Sequence, residues 1–242
     1  MKLKKEKFLH LLFPPRCPIC DGILFSSFAV PEELICKSCR KQPEYVKEPV
    51  CSQCGKPLEN EREEYCYDCS RNKRAFVQGR ALWVYRGVVR DSLYRFKYQN
   101  RREYAEYYSA ELVRVYGGWI KERGIQAVVP IPLSGKRRRQ RGFNQAELVA
   151  RKVAKRMNLP VYGRLLIRTR DTKAQKELND QERKNNLKRA FKTRKNKVQL
   201  NHILLIDDIY TTGSTMNEAA KELKRAGAEQ VYCLSISIGR GY

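Results

Sequence analysis

The sequence predicts an α/β fold, a parallel sheet flanked by helices, preceded by a small cysteine-rich head. Three observations predict it. Eight of the nine cysteines fall in four Cys-x-x-Cys pairs before residue 70. From Phe76 onward, short apolar runs alternate with amphipathic stretches, the pattern of strands joined by helices. Near the C-terminus, Ile203 to Met216 (ILLIDDIYTTGSTM) passes from four apolar residues into two acids and then into a Thr/Ser/Gly cluster that opens a helix.

The chain has 242 residues, enough for one medium domain and a small one, and its 42% hydrophobic content allows a real core. The expected division is a metal-binding head, 1–75, and an α/β domain, 76–242, joined by the polar, basic Ser70 to Ala75. The formal charge is +24 and is unevenly spread. Residues 1–75 carry 14 basic and 11 acidic side chains, a net of +3, and residues 76–242 carry 36 and 15, a net of +21. Such a field draws polyphosphates or nucleic acid, or it is a solvated basic surface. No segment is long and apolar enough to span a membrane. Met1 to Phe13 is basic and then mildly apolar, but Pro14-Pro15 follows with no small-residue cleavage pattern. No signal peptide is therefore expected, and the location expected is cytoplasmic.

In the head, the pairs are Cys17/Cys20, Cys36/Cys39, Cys51/Cys54 and Cys66/Cys69, with 15, 11 and 11 residues between successive pairs. Each pair can present two thiolates to one tetrahedral ion, and two pairs complete a four-sulfur zinc site. In a reducing compartment this spacing indicates metal rather than disulfides. Residues 14–70 have few long apolar runs, so metal stands in for a core there. The reading is an internal duplication of two zinc ribbons, Cys17–Cys39 and Cys51–Cys69, with two structural zinc ions. Sequential pairing fits the ribbon spacing, and a cross-braced arrangement stays open. Four thiolates leave no open position for catalysis.

The α/β domain begins with a strand-like run, Val77 to Tyr85. Val88 to Tyr98 and residues 101–122 have helical spacing. Across this stretch Arg86, Arg90, Arg95, Lys97, Tyr98, Arg101 and Arg102 interleave bases with aromatics, a mixture suited to single-stranded nucleic acid. The alternative is that the aromatics are core and the arginines solvated. Ala127 to Pro132 is an apolar strand leading into Ser134, Gly135, Lys136, Arg137 and onward to Arg141. A helix follows from Phe143 to Met157. A strand, a Gly-containing basic loop and a helix make a second anion site, although the same bases also suit a nucleic-acid patch or a plain charged loop. Leu165 to Ile167 is a brief strand. Arg168 to Leu187 is long and polar, and such a segment between strands is usually functional or mobile. Ala190-Phe191 begin a short edge strand, and Gln230 to Ile238 is the last strand, with Cys233 as a core residue.

The stretch Ile203 to Met216 carries the most chemistry. A helix start offers unpaired N–H groups and partial positive charge to an anion. Gly213 allows close backbone approach, and Thr211, Thr212, Ser214 and Thr215 add hydroxyls. Asp207 and Asp208, at the carboxyl end of the strand, suit sugar hydroxyls or a hydrated magnesium ion. An acid pair beside a phosphate cradle indicates a sugar phosphate. The bland alternative is a buried strand capped by an ordinary Ser/Thr-rich helix start.

Ile203 to Thr215 resembles the phosphoribosyl pyrophosphate (PRPP) motif of the type I phosphoribosyltransferases. More narrowly, Phe13-Pro14-Pro15-x-Cys17-Pro18-x-Cys20, Val129-Pro130-Ile131-Pro132-Leu133, Arg141-Gly142-Phe143-Asn144-Gln145, Thr172-x-x-Gln175-x-x-Leu178, Arg183, Asn186, Ala190-Phe191 and Ile206-Asp207-Asp208 occur in this order and together resemble the ComF family, the ComFC-like competence proteins. The resemblance covers essentially the whole chain. It implies a double zinc ribbon joined to a type I phosphoribosyltransferase-like domain. It also implies a role in natural transformation, beside single-stranded DNA and an ATP-driven competence DNA translocase.

What the resemblance implies for the site follows position by position. Asp207 and Asp208 orient the ribose hydroxyls and magnesium as the catalytic pair. Thr211, Thr212, Gly213, Ser214 and Thr215 hold the 5′-phosphate. Ser134, Gly135, Lys136, Arg137 and Arg141 form the pyrophosphate loop, and Thr172, Gln175 and Arg183 belong to a flexible loop that closes over substrate. Two readings stand: a magnesium-dependent phosphoribosyltransferase of unknown acceptor, and a non-catalytic single-stranded-DNA-handling or adaptor protein that keeps a PRPP or nucleotide pocket.

Overall fold

The structure is a computed structural model, and it describes residues 14–24, 34–169, 190–194 and 199–240. Thr172, Gln175 and Arg183 lie outside the described residues.

The centre is a parallel sheet. Its strands are β1 (Gln78–Val84), β2 (Ala127–Pro130), β5 (His202–Tyr210) and β6 (Gln230–Ile238), in the order β1-β6-β5-β2. All three pairings are parallel, with Val84 opposite Ile238, Ile206 opposite Leu234 and Pro130 opposite Ile206. β3 (Leu166–Arg168) and β4 (Phe191–Thr193) form a separate antiparallel pair. Phe191 therefore does begin a short strand, with Ala190 just before it, in that antiparallel pair and not in the main sheet.

Parallel strands covered on both faces read as continuous apolar runs, because alternate side chains face opposite helical layers. Ile203 to Ile206 show this. Leu204 and Ile206 pack with Leu234, Val149 and Phe96 on one side. Ile203 and Leu205 pack with Val231, Ala219 and Leu223 on the other. The first layer holds α2 (Gly87–Tyr98), α3 (Tyr104–Glu122) and α5 (Gln145–Met157). The second holds α6 (Ser214–Arg225), which buries Met216, Ala219, Ala220 and Leu223. α1 (Tyr67–Arg71) closes the head.

The segment after β2 differs from its expected form. Gly135–Arg141 is a helix, α4, and not a loop. Ser134 caps it, its Oγ accepting from the Arg137 N–H at 3.4 Å, and Gly142 closes it. Lysine, arginine and glutamine are strong helix formers, so four bases in a row, then Gln140 and Arg141, between a serine cap and a glycine stop suffice for a short helix.

Each ribbon lies against a different layer of the core. In the first, the Ser92 hydroxyl and the Arg95 guanidinium donate to the carbonyls of Pro18 and Ile19, and Asp21 accepts from Arg101 at 2.7 Å and from Tyr104. Burial opposes ionisation of Asp21, but the hydrogen bonds from Tyr104 and Arg101 hold its carboxyl below the ordinary range. The second ribbon runs beside β1. Gln53 donates to the carbonyls of Phe76 and Val77, and the Gly79 N–H donates to Gln53 at 2.7 Å. Here two backbones touch: a Cβ on Gly55 would lie 2.7 Å from the Gly79 carbonyl oxygen.

Among the described residues, no helix is long and apolar enough to cross a membrane.

Candidate functional site

Two groups of four cysteines have their sulfur atoms within 4.8 Å of one another: Cys17, Cys20, Cys36 and Cys39, and Cys51, Cys54, Cys66 and Cys69. The pairing is sequential, which removes the cross-braced alternative. None of the nine cysteines is in a disulfide. Sulfur–sulfur separations of 3.6 Å (Cys17–Cys36), 3.8 Å (Cys20–Cys36) and 3.6 Å (Cys54–Cys66) fit a tetrahedron of zinc–sulfur bonds of about 2.3 Å, whose edge is about 3.8 Å. The donor set suits structural zinc at both places. Cys17, Cys39, Cys51, Cys54 and Cys66 are buried among core side chains.

The second constellation lies at the carboxyl end of β5, where ligands bind in open α/β sheets. β5 runs through both acids to Tyr210 and the loop Thr211 to Gly213 follows. Gly213 has φ 74° and opens α6, a conformation with little cost only for glycine. Thr212 Oγ1 and Ser214 Oγ lie 2.9 Å apart, Thr211 is exposed, and Ser214 and Thr215 are half-buried at the first turn of α6. The loop is anchored from below. Tyr210 is buried under Gly213 and meets Phe76 edge-on with centroids 6.4 Å apart. Asn217 Oδ1 accepts from the Ala75 N–H at 2.7 Å, tying α6 to the segment that follows the second ribbon.

The two acids differ. Asp208 is 8% exposed. Lys97 Nζ stands 3.0 Å from its Oδ1, and Arg141 Nη1 stands 4.0 Å from its Oδ2. Asp207 has no ion pair among the described residues, and its Oδ1 accepts the Asp208 N–H at 2.8 Å. Burial, and then the charge of Asp208, pushes Asp207 up to about 7. A half-buried carboxyl with no ion pair among the described residues, beside a buried one that has two, is a donor set that a divalent cation fits.

Arg141 is held in place from several sides. Nη1 donates to Gln145 Oε1 at 3.1 Å, Nη2 donates to the Tyr98 hydroxyl at 3.1 Å, and the guanidinium lies 5.0 Å from the centroid of the Tyr98 ring. Gln145 is fully buried, and Asn144 Nδ2 donates to the Ile131 carbonyl at 3.0 Å, fastening α5 to the end of β2. The structure thus brings Arg141 to the acids. Ser134 is buried in its cap, Gly135 and Lys136 are exposed, and Arg137 is half-buried. Among the described residues, Lys136 and Arg137 make no ion pair with Asp207 or Asp208.

The sequence places Lys97 among bases suited to nucleic acid and Gln145 in a family motif, and gives neither of them, nor Tyr210, a role at this site. Gln145 lies four residues from Arg141 but opens the next helix, and the turn at Gly142 brings the two side chains together. Lys97 is far away in sequence and carries no local signal. The stretch Arg86 to Arg102 also reads differently in three dimensions. Arg86 pairs with Glu44, Arg90 with Asp91, Lys97 with Asp208 and Arg101 with Asp21. Phe96, Tyr104 and Tyr108 are core, while Tyr94 and Tyr98 are exposed and adjacent, with centroids 5.1 Å apart.

The comparisons agree with this architecture. Residues 8–70 match the family described as Double zinc ribbon domain, and residues 144–237 match Phosphoribosyl transferase domain. The chain is thus a double zinc ribbon joined to a type I phosphoribosyltransferase fold. Among its relatives, Competence protein F of Haemophilus influenzae is 35% identical over 44% of this chain and 47% of its own. DNA utilization protein YhgH of Escherichia coli K12 is 35% identical over 59% of this chain and 64% of its own. Competence protein ComFC of Bacillus subtilis is 31% identical over 62% and 59%. Each match spans less than two thirds of the relative's length. Both domains occur in the expected order, and the matched relatives carry the competence and DNA-utilization names that the resemblance to the ComF family implies.

Proposed function

We propose that this protein binds magnesium–PRPP at the carboxyl end of β5 and acts in natural competence, in the uptake and handling of transforming DNA. The observation that supports the pocket most is the grip of Lys97 and Arg141 on Asp208, directly ahead of the glycine-turned loop Thr211 to Thr215. The names of the relatives support the setting.

Each residue then has a task. The N–H groups and hydroxyls of Thr211 to Thr215 hold the 5′-phosphate, as a helix start holds anions. Asp207 and Asp208 orient the ribose hydroxyls. Arg141, prefixed by Gln145 and Tyr98, meets the pyrophosphate and stabilises charge as the anomeric bond breaks, and one such donor contributes about 2.7–4 kcal/mol. Ser134, Gly135, Lys136 and Arg137 extend that basic wall, and Thr172, Gln175 and Arg183 lie in the segment that would cover substrate. Magnesium, when bound at the acids, supplies charge neutralisation to the pyrophosphate. The nucleophile would be a ring or amine nitrogen. The head, 1–75, serves as a structural and docking unit on the domain 76–242, and its eight thiolates suit the reducing cytoplasm.

A second reading is single-stranded-DNA handling without transfer chemistry, beside a DNA translocase. It is favoured by the exposed Tyr94–Tyr98 pair adjoining Arg141 and the outward bases of α4, a stacking surface with phosphate-binding charge. The variant Asp207→Asn/Asp208→Asn separates the two. It is expected to lose PRPP binding and to keep single-stranded DNA binding unchanged or slightly stronger. Loss of both together would place the two ligands in one site.

A further inference from the structure

We infer that Lys97, which lies outside every sequence motif of the site, is a pyrophosphate-binding residue that Asp208 holds in reserve until ligand arrives. This deepens the proposed PRPP pocket and rests on it.

The argument starts from the unequal ties of the two cations on Asp208. Arg141 has three further contacts: the Gln145 side-chain Oε1, the Tyr98 hydroxyl and the Tyr98 ring. It stays where it is whatever happens to Asp208. Among the described residues, Lys97 has Asp208 as its one ion-pair partner, at 3.0 Å, with both side chains 12% exposed. A flexible four-carbon stem with three donors at its end can change partners where a planar guanidinium fixed at several points cannot. Lys97 stands in the last turn of α2, so the helix sets the stem at the pocket while leaving the ammonium free to swing.

Ligand binding forces that change. A ribose diol or a divalent cation at Asp208 takes the oxygen that Lys97 holds. A buried ammonium left unpaired is costly, so Lys97 needs another anion within reach. The bound ligand brings one, its pyrophosphate, into the wall already formed by Arg141. In the free protein the Lys97–Asp208 pair therefore masks two sites at once, an anion site and a cation site, and one ligand carrying both charges unmasks them together.

This makes predictions of opposite sign for anion and cation, which a purely structural ion pair would not. The probes are inorganic pyrophosphate without metal and magnesium alone, each titrated calorimetrically into the full chain, with zinc content and circular dichroism confirming the fold. Asp208→Asn releases Lys97 and should strengthen pyrophosphate binding about tenfold, the scale of one hydrogen bond to a charged group. Lys97→Met/Asp208→Asn should lose that gain and bind more weakly than the wild type. It removes both charges of the Lys97–Asp208 pair together, and Arg141 keeps its hydrogen bonds to Gln145 and Tyr98, so it remains testable even where Lys97→Met alone does not fold. Where Lys97→Met folds, it should bind magnesium more tightly and pyrophosphate more weakly. Equal pyrophosphate affinity in Asp208→Asn and the double variant, with the wild type binding, overturns the role of Lys97 and leaves the pocket standing. Failure of the wild type to bind either pyrophosphate or magnesium–PRPP overturns the pocket itself, and this inference with it.

Discussion

The hydroxyl oxygen of Tyr210 lies 2.0 Å from the position that a Cβ on Gly213 would occupy, and its Cζ lies 2.4 Å away. The tyrosine ring is the floor of the Thr211–Thr215 loop, and the second ribbon packs around it, with Cys51, Cys54, Cys66 and Phe76 in the same buried cluster. Gly213→Ala therefore meets two obstacles, a side chain at φ 74° and a collision with a ring that cannot retreat. The expected result is loss of PRPP binding and destabilisation of about 1–3 kcal/mol, read from a urea transition. Adding Tyr210→Phe removes the nearest atom but not the ring, so it should recover part of the stability.

Tyr210→Phe alone tests a different point. The Tyr210 hydroxyl is buried and without a hydrogen-bond partner among the described residues. Removing an unsatisfied buried hydroxyl is nearly neutral or stabilising. The urea midpoint should stay unchanged or rise slightly. A clear fall would show that the hydroxyl has a partner.

Metal removal should act on the whole molecule and not on the head alone, because zinc-site sulfurs belong to both buried clusters. Two zinc ions per chain are expected, one for each four-sulfur group. Cys54→Ser should release one of them, lower the thermal midpoint and weaken phosphosugar binding, since that ribbon supports Tyr210. Cys20→Ser, at the exposed ligand of the other group, should also release one zinc but leave the loop above Tyr210 in place. Metal analysis, thermal melts and PRPP titration of both variants check this.

Asp207 links the site to pH. Burial and Asp208 raise it to about 7 from an ordinary 3.8. The fold therefore favours its protonated form. The stability it contributes is fully present below about pH 4 and is lost as pH rises through about 7. Asp207→Asn should remove that decline, and the difference between the two stability curves isolates it from other carboxylates. Ligand binding runs the other way. Only the ionised carboxyl takes a cation, so magnesium-dependent PRPP binding should strengthen from pH 6 to 8 in the wild type.

Most of the fold is legible in the sequence because its signals are local. Ile203–Ile206 is too apolar for any place but a strand covered on both faces, and Ala219, Ala220 and Leu223 mark one side of a helix. The cysteine pairs announce their metal by spacing alone. The misread segment, Gly135–Arg141, was obscured by its charge: a basic run after a glycine reads as a loop, while helix propensity and the Ser134 and Gly142 ends decide otherwise. The site residues that reading the chain did not find are the ones set by tertiary contact. Lys97 reaches Asp208 from the last turn of α2, which the fold brings to the carboxyl end of β5. Arg95 and Arg101, which look available to nucleic acid, are taken by the backbone of Ile19 and by Asp21.

The most direct test of the phosphosugar pocket is calorimetric titration of the zinc-loaded chain with PRPP, with and without magnesium. Saturable binding that requires magnesium and disappears in Asp207→Asn/Asp208→Asn is the result this account predicts. No binding by a folded protein that holds two zinc ions would contradict it and leave DNA handling as the function of this surface.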